Sequence, residues 1–146
     1  MGRFVNPNNN SFQVALNSPI YVDKTGLIAY TNSVLATMQG YICNSRPRRF
    51  GKSYAANMLT AYYSRGCDSE AMFAGLEISK SADFKKHLNK YDVIHIDIQW
   101  CIEPAGGVEN VVSFISEKTI SELDTYYPNI LAEKTISLPD ALSQIN

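Results

Sequence analysis

Apolar and polar residues follow two different periods along this chain. From Lys52 to Arg65 the apolar positions fall at Ala55, Met58, Leu59 and Tyr62, a spacing that lays one stripe along a helix. Gly66 then reads as the stop of that helix. Similar patterns predict helix over most of Lys24–Met38, over Ser69–Phe73 and Ala82–Leu88, over Val108–Tyr127, and again from Leu138 to Asn146. Pro128 ends the long one. Short runs enriched in β-branched and aromatic residues predict strands at Ile20–Val22, at Tyr41–Asn44 and at Val93–Trp100. In the last of these Val93, Ile94, Ile96 and Ile98 are nearly continuous, which suits a strand covered on both faces. Residues 1–11 are Asn-rich and turn-like, a loose lead-in. Strand and helix thus alternate, and the expectation is an α/β fold: a parallel sheet flanked by helices. Tyr41–Asn44 should be its central strand, with Ile42 and Ile96 on parallel strands of that one sheet.

The junction of strand and helix at Tyr41–Ser53 carries the chemistry. Tyr41, Ile42 and Cys43 lead into a loop that ends Gly51-Lys52-Ser53, and helix follows. This is the order of a phosphate cradle, in which a tight loop and a helix N-terminus turn N–H groups toward an anion. Lys52 would reach the terminal phosphates of ATP and the Ser53 hydroxyl would sit on Mg²⁺. The P-loop pattern wants glycine at its first position, where this chain has Arg46, and Pro47 biases Arg46 toward extended backbone. Arg48 and Arg49 supply positive charge inside the loop, while Phe50 and Tyr54 either pack on the nucleotide or fill the loop. Arg46, Pro47, Arg48, Arg49, Phe50, Gly51, Lys52, Ser53 and Tyr54 are therefore the candidate nucleotide-binding residues, with Ser53 the metal ligand. The plainer alternative is a loop glycine beside a solvated lysine and a helix-capping serine.

Composition narrows the setting. The chain has 146 residues, 45% hydrophobic and 18% charged, enough for one ordinary globular domain with a real core. A net charge of −1 argues against a surface that coats nucleic acid broadly, though local basic patches survive that argument. Cys43, Cys67 and Cys101 are odd in number and widely spaced, which disfavours disulfides and zinc clusters and points to a reducing compartment. The N-terminus lacks the apolar core of a signal peptide, and no run approaches about 18 apolar residues. The reading is cytoplasmic, with no membrane partner. His87 and His95 have no carboxylate or cysteine at metal-ligand spacing.

Four segments together resemble a known family. Tyr21-Val-Asp-Lys-Thr-Gly-Leu-Ile28, Ser45-Arg-Pro-Arg-Arg-Phe-Gly-Lys-Ser53, the pair Tyr62-Tyr63 and Met72-Phe-Ala-Gly-Leu-Glu-Ile78 are similar to the predicted AAA-ATPase-like family of prokaryotic proteins. The resemblance implies a P-loop NTPase-like domain in which Arg46 is the family's usual loop residue. It implies ATP and Mg²⁺ as cofactors and places Tyr21–Thr25 near the base or ribose, against the alternative that Asp23-Lys24-Thr25 merely starts a helix. Family members are usually longer and often carry a nuclease-like C-terminal domain, through which nucleic acid would be a partner. The family's Asp-Glu strand would begin beyond Asn146, so residues 1–146 read as the N-terminal part of an AAA-like ATPase domain, truncated before that strand. Asp97 ends an apolar run, but Ile98 follows it where a water-positioning glutamate would stand, so a structural or secondary role is favoured over the alternative of a Mg²⁺ ligand. The expectation is nucleotide binding with little hydrolysis, and self-association through an open sheet edge. The competing function is a nucleic-acid or protein interaction module that uses Arg46, Arg48 and Arg49 as a basic patch.

Overall fold

A computed structural model describes residues 2–45, 47, 50–131 and 137–145. They form two compact units, one of Asn6–Val93 and the other of Gly2–Val5 with Ile94–Asn146.

The first unit is helical. It contains α1 (Asn10–Leu16), α2 (Gly26–Val34), α3 (Lys52–Tyr63), α4 (Glu70–Phe73) and α5 (Phe84–His87), with a 3₁₀ turn at Glu77–Lys80. The stripe read from the sequence is the buried face of α3: Ala55, Met58, Ala61 and Tyr62 are buried and Leu59 packs beside them. Phe12 of α1, Ile28 of α2, Phe73 of α4, Ile78 and Phe84 of α5 complete this core. Tyr62 is its centre, edge-on to Phe73 at 5.6 Å and to Tyr63 at 4.9 Å between ring centroids.

The end of α3 is closed by a residue distant in sequence. Asn89 adopts a left-handed backbone with φ of 53°, a conformation asparagine tolerates better than most side chains. Its Nδ2 donates to the carbonyls of Ala61 and Ser64, both at 2.9 Å, and its backbone N–H donates to Tyr62 O at 2.7 Å. Helix α3 stops at Tyr63, three residues before Gly66, so that glycine is not the terminator the pattern predicted. Gly66 instead gives room to the chain beside it, since a Cβ there would lie 2.7 Å from the Asn6 carbonyl oxygen.

The second unit contains α6 (Ile98–Ile102), α7 (Val111–Tyr126) and α8 (Leu138–Ile145). Phe4, Cys101 and Val111 form one buried cluster, and Val5, Leu123 and Ala141 another. The segment from Gly2 to Val5 is held by one carboxylate on α7. Glu122 accepts the N–H groups of Arg3 at 2.9 Å, Phe4 at 2.9 Å and Val5 at 2.8 Å, while the Tyr126 hydroxyl accepts that of Gly2 at 2.9 Å.

The expected parallel sheet is not there. Among the described residues the only β pairing is two isolated bridges, Val5 with Ile94 antiparallel and Ser64 with Tyr91 parallel. Neither Ile42 nor Ile96 lies in a strand, and Tyr41–Asn44 is an exposed segment with Tyr41 94% accessible. Ile20 and Val22 are also exposed and unpaired in any ladder. An apolar run becomes a strand only where a neighbour takes its backbone N–H and C=O groups, and these segments have no ladder partner among the described residues. Val93–Trp100 fails for a further local reason. After His95 N–H bonds Phe4 O at 2.9 Å, the Asp97 side chain accepts the Trp100 N–H at 3.2 Å and turns the chain into α6. Asp97 is thus a helix N-cap. With no sheet among the described residues, the argument for self-association through an open sheet edge lapses. Helices were better read than strands: the expected ones at Lys24–Met38, Ser69–Phe73, Ala82–Leu88, Val108–Tyr127 and Leu138–Asn146 appear in shortened form. Helix α1 had no counterpart in the expectation.

The tyrosines beside the core make the first unit sensitive to alkali. Burial pushes the Tyr63 hydroxyl up to about 12; a hydrogen bond to Thr31 pulls against this, and Tyr62 and Tyr91 add to it. A pKa raised in the folded state means that folding favours the protonated phenol. Its contribution is complete below the unfolded value of about 10 and disappears as pH rises toward 12. Urea midpoints measured from pH 8 to 12 should fall above pH 10, and Tyr63→Phe should flatten that fall. A fall of unchanged steepness in the variant would assign it elsewhere.

Candidate functional site

Helix α3 begins at a glycine with φ of 76° and ψ of 29°. This left-handed geometry strains a residue with a Cβ, so Gly51 is required by its backbone. By the geometry of any α-helix, the N–H groups of the first turn of α3 have no acceptor within the helix. Ala55 N–H bonds back to Gly51 O at 3.0 Å.

Two lysines converge on the loop. Lys52 Nζ donates to Pro47 O at 3.2 Å, and Lys24 Nζ donates to Phe50 O, also at 3.2 Å. Lys24 comes so close that a Cβ on Gly51 would stand 2.6 Å from its ammonium. The Tyr21–Thr25 motif and the Gly51–Ser53 motif, far apart in sequence, therefore meet at one point.

A clasp puts Lys24 there. The Asp23 carboxylate accepts the Thr25 N–H at 2.8 Å, the Thr25 hydroxyl at 2.7 Å and the Glu77 N–H at 2.8 Å. Thr25 is fully buried, and its Oγ1 accepts the Ile78 N–H at 3.1 Å. Partial burial pushes the Asp23 carboxyl up. The N–H groups of Glu77 and Thr25, the Thr25 hydroxyl and the Lys80 charge outweigh that and hold it below the usual carboxylate range. Thr25 stands at the N-cap position of α2, as the plainer reading held, but its side chain makes no capping bond there; the clasp instead aims Lys24, the residue between Asp23 and Thr25.

Beside this point opens a cleft of about 350 Å³, lined by Ile20, Tyr21, Val22, Lys24, Phe50 and Tyr54 among others. Its size falls within the range of small-molecule sites, and its mixture of apolar walls with the Lys24 cation is typical of them. Ile20 and Val22, expected in a strand, are cleft wall instead. Tyr21 remains a neutral phenol, because burial and the nearby Asp23 both raise its pKa.

Of the residues proposed from sequence, Phe50, Gly51 and Tyr54 line the cleft, and Lys52 and Ser53 open α3 on an exposed face. Pro47 is exposed and receives Lys52. Arg46, Arg48 and Arg49 lie outside the described residues. His87 stacks on Tyr91, with Nδ1 2.5 Å from its hydroxyl, a packing role. No group of three His, Cys, Asp or Glu among the described residues could hold a metal ion. No described helix is long and apolar enough to cross a membrane. Sequence reasoning named Lys24 only within a motif near the base or ribose. The available signal was a lysine flanked by two helix-starting side chains.

Residues 10–145 match the family described as Predicted AAA-ATPase, and the chain belongs to that family. No curated protein and no solved structure matches it.

Proposed function

We propose that the first unit binds the phosphates of ATP at the start of α3, with the adjoining cleft taking the base and sugar. The observation that carries this is the meeting of three features at Gly51: a left-handed glycine opening a twelve-residue helix, two lysine ammoniums, and an apolar cleft with aromatic walls. A polyphosphate asks for N–H donors and cations, and a base asks for flat apolar surfaces. Membership of the predicted AAA-ATPase family supports the same reading.

The residues present suit Mg²⁺ only as a companion of the phosphates. No acidic cluster awaits it among the described residues, while the Ser53 hydroxyl lies in the first turn of α3, where it would be one ligand. When bound, Mg²⁺ would neutralise phosphate charge. Lys52 and the α3 N-terminus would then orient the polyphosphate. Asp97, committed to capping α6, is not assigned to catalysis, and the reading is one of binding with little hydrolysis.

The test is thermal unfolding with and without Mg·ATP. A ligand at a hundredfold excess over its Kd adds about 2.7 kcal/mol, a rise of several degrees. Lys52→Ala should remove most of that rise and leave the ligand-free melting temperature nearly unchanged, since Lys52 is exposed. Absence of any rise in the wild-type protein would refute the proposal.

A further inference from the structure

We infer that Lys24 is a second phosphate-binding cation, delivered to the α3 N-terminus by the Asp23–Thr25 clasp. This rests on the nucleotide reading and assigns it a specific residue outside the Gly51-Lys52-Ser53 loop.

The geometry is unusual for a surface lysine. Its ammonium lies against Gly51 and 3.2 Å from the Phe50 carbonyl, at the positive end of a helix. A cation gains nothing from that end of the dipole, which favours anions. Among the described residues no carboxylate pairs with Lys24. The adjacent Asp23 is engaged by Thr25 and Glu77. A single neutral carbonyl is modest compensation for fixing a long flexible side chain. An anion at this point resolves the arrangement, because it would give the Lys24 ammonium a counter-charge at the positive end of α3.

The support beneath Lys24 is built for position. Asp23 receives three hydrogen bonds and the buried Thr25 ties the same segment to the turn at Glu77–Lys80. Asp23 is therefore a positioning residue: it acts through Lys24. Lys24 also lines the cleft, which places a phosphate on its ammonium and a base on Tyr21, Phe50 or Tyr54 within one small molecule's reach.

The experiment is calorimetric titration of the full chain with Mg·ATP, Mg·ADP and adenosine. Six proteins are compared: wild type, Lys24→Met, Lys24→Arg, Lys52→Met, Asp23→Asn and the double variant Asp23→Asn with Lys24→Met. Methionine keeps the length and apolar stem of lysine without its charge. Lys24→Met should weaken ATP and ADP by about tenfold or more, the effect of losing one charge-assisted contact, and leave adenosine unaffected. Lys24→Arg should recover part of the loss. Asp23→Asn should weaken ATP in the wild-type background and add little to Lys24→Met, because it acts through the same ammonium. Wild-type affinity for ATP in Lys24→Met, alongside failure of Lys52→Met, would overturn this inference and leave the nucleotide reading intact. Equal weakening of ATP and adenosine would also overturn it, by showing that Lys24 shapes the cleft and not the phosphate site. No ATP binding by the wild type would refute the nucleotide reading itself, and this assignment with it.

Discussion

Tyr62→Ala should destabilise the first unit by about 4 kcal/mol, the range for removing a large aromatic from a packed core. Tyr62 has no exposed surface and touches Phe73, Phe84 and Tyr63 through its ring. Its hydroxyl donates to Phe84 O at 2.7 Å and accepts from Asn32 Nδ2 at 3.1 Å, tying α3 to α5 and α2. Alanine would leave a cavity and two unanswered polar groups. Against a total of about 5–15 kcal/mol for an ordinary domain, that loss is large enough to leave much of the unit unfolded at 37 °C. Tyr62→Phe separates the two contributions: the ring stays, and the cost should fall to about 1–2 kcal/mol for the stranded Phe84 carbonyl and Asn32 amide. Urea unfolding followed by circular dichroism measures both. A Tyr62→Ala midpoint close to wild type would mean that this core is not organised around α3.

Glu122→Ala should detach the N-terminal segment from the second unit at a cost of about 3 kcal/mol. Three consecutive N–H groups converge on this one carboxylate, and hydrogen bonds to a charged acceptor are stronger than neutral ones. The partly buried donors of Phe4 and Val5 would lose their acceptor. Phe4 is 4% exposed and Val5 is fully buried, so release of the segment would also open both clusters of the unit to water. Hydrogen exchange reports this directly. The Phe4 and Val5 amides should lose protection in Glu122→Ala, and Glu122→Gln should retain part of it through its remaining carbonyl oxygen. Unchanged exchange at both amides would show that the Val5–Ile94 bridge and apolar contacts hold the segment without the carboxylate.

Both predictions depend on residues whose importance is invisible in a linear reading. Glu122 stands on a predicted helix as one acid among several, and nothing in its neighbours announces three N–H groups from the chain's beginning. Asn89 is another such residue. Its value lies in a left-handed backbone and in carbonyls at the far end of α3, contacts that span more than twenty positions. Lys24 was within view as part of a motif, but only folding shows that its ammonium comes to rest on Gly51.

What the sequence determined by itself was local. The 3.6-residue period located α3 and its buried face, because a helix closes its backbone hydrogen bonds within its own segment and needs only a stripe to bury. The glycine-lysine-serine end of the loop was also legible, because Gly51 answers a backbone requirement at the start of α3. Family membership followed from motifs of the same local kind. The sheet was the failure, and for a physical reason. A strand is defined by its neighbour, and the apolar runs at Tyr41–Asn44 and Val93–Trp100 carry no information on whether a neighbour arrives. Tertiary structure decided that the first stays exposed, that Ile94 makes a single bridge to Val5, and that Asp97 caps a helix where a strand was expected. It also decided the site, since bringing Tyr21–Lys24 against Phe50–Tyr54 is the work of the Asp23–Thr25 clasp and of the core beneath α3.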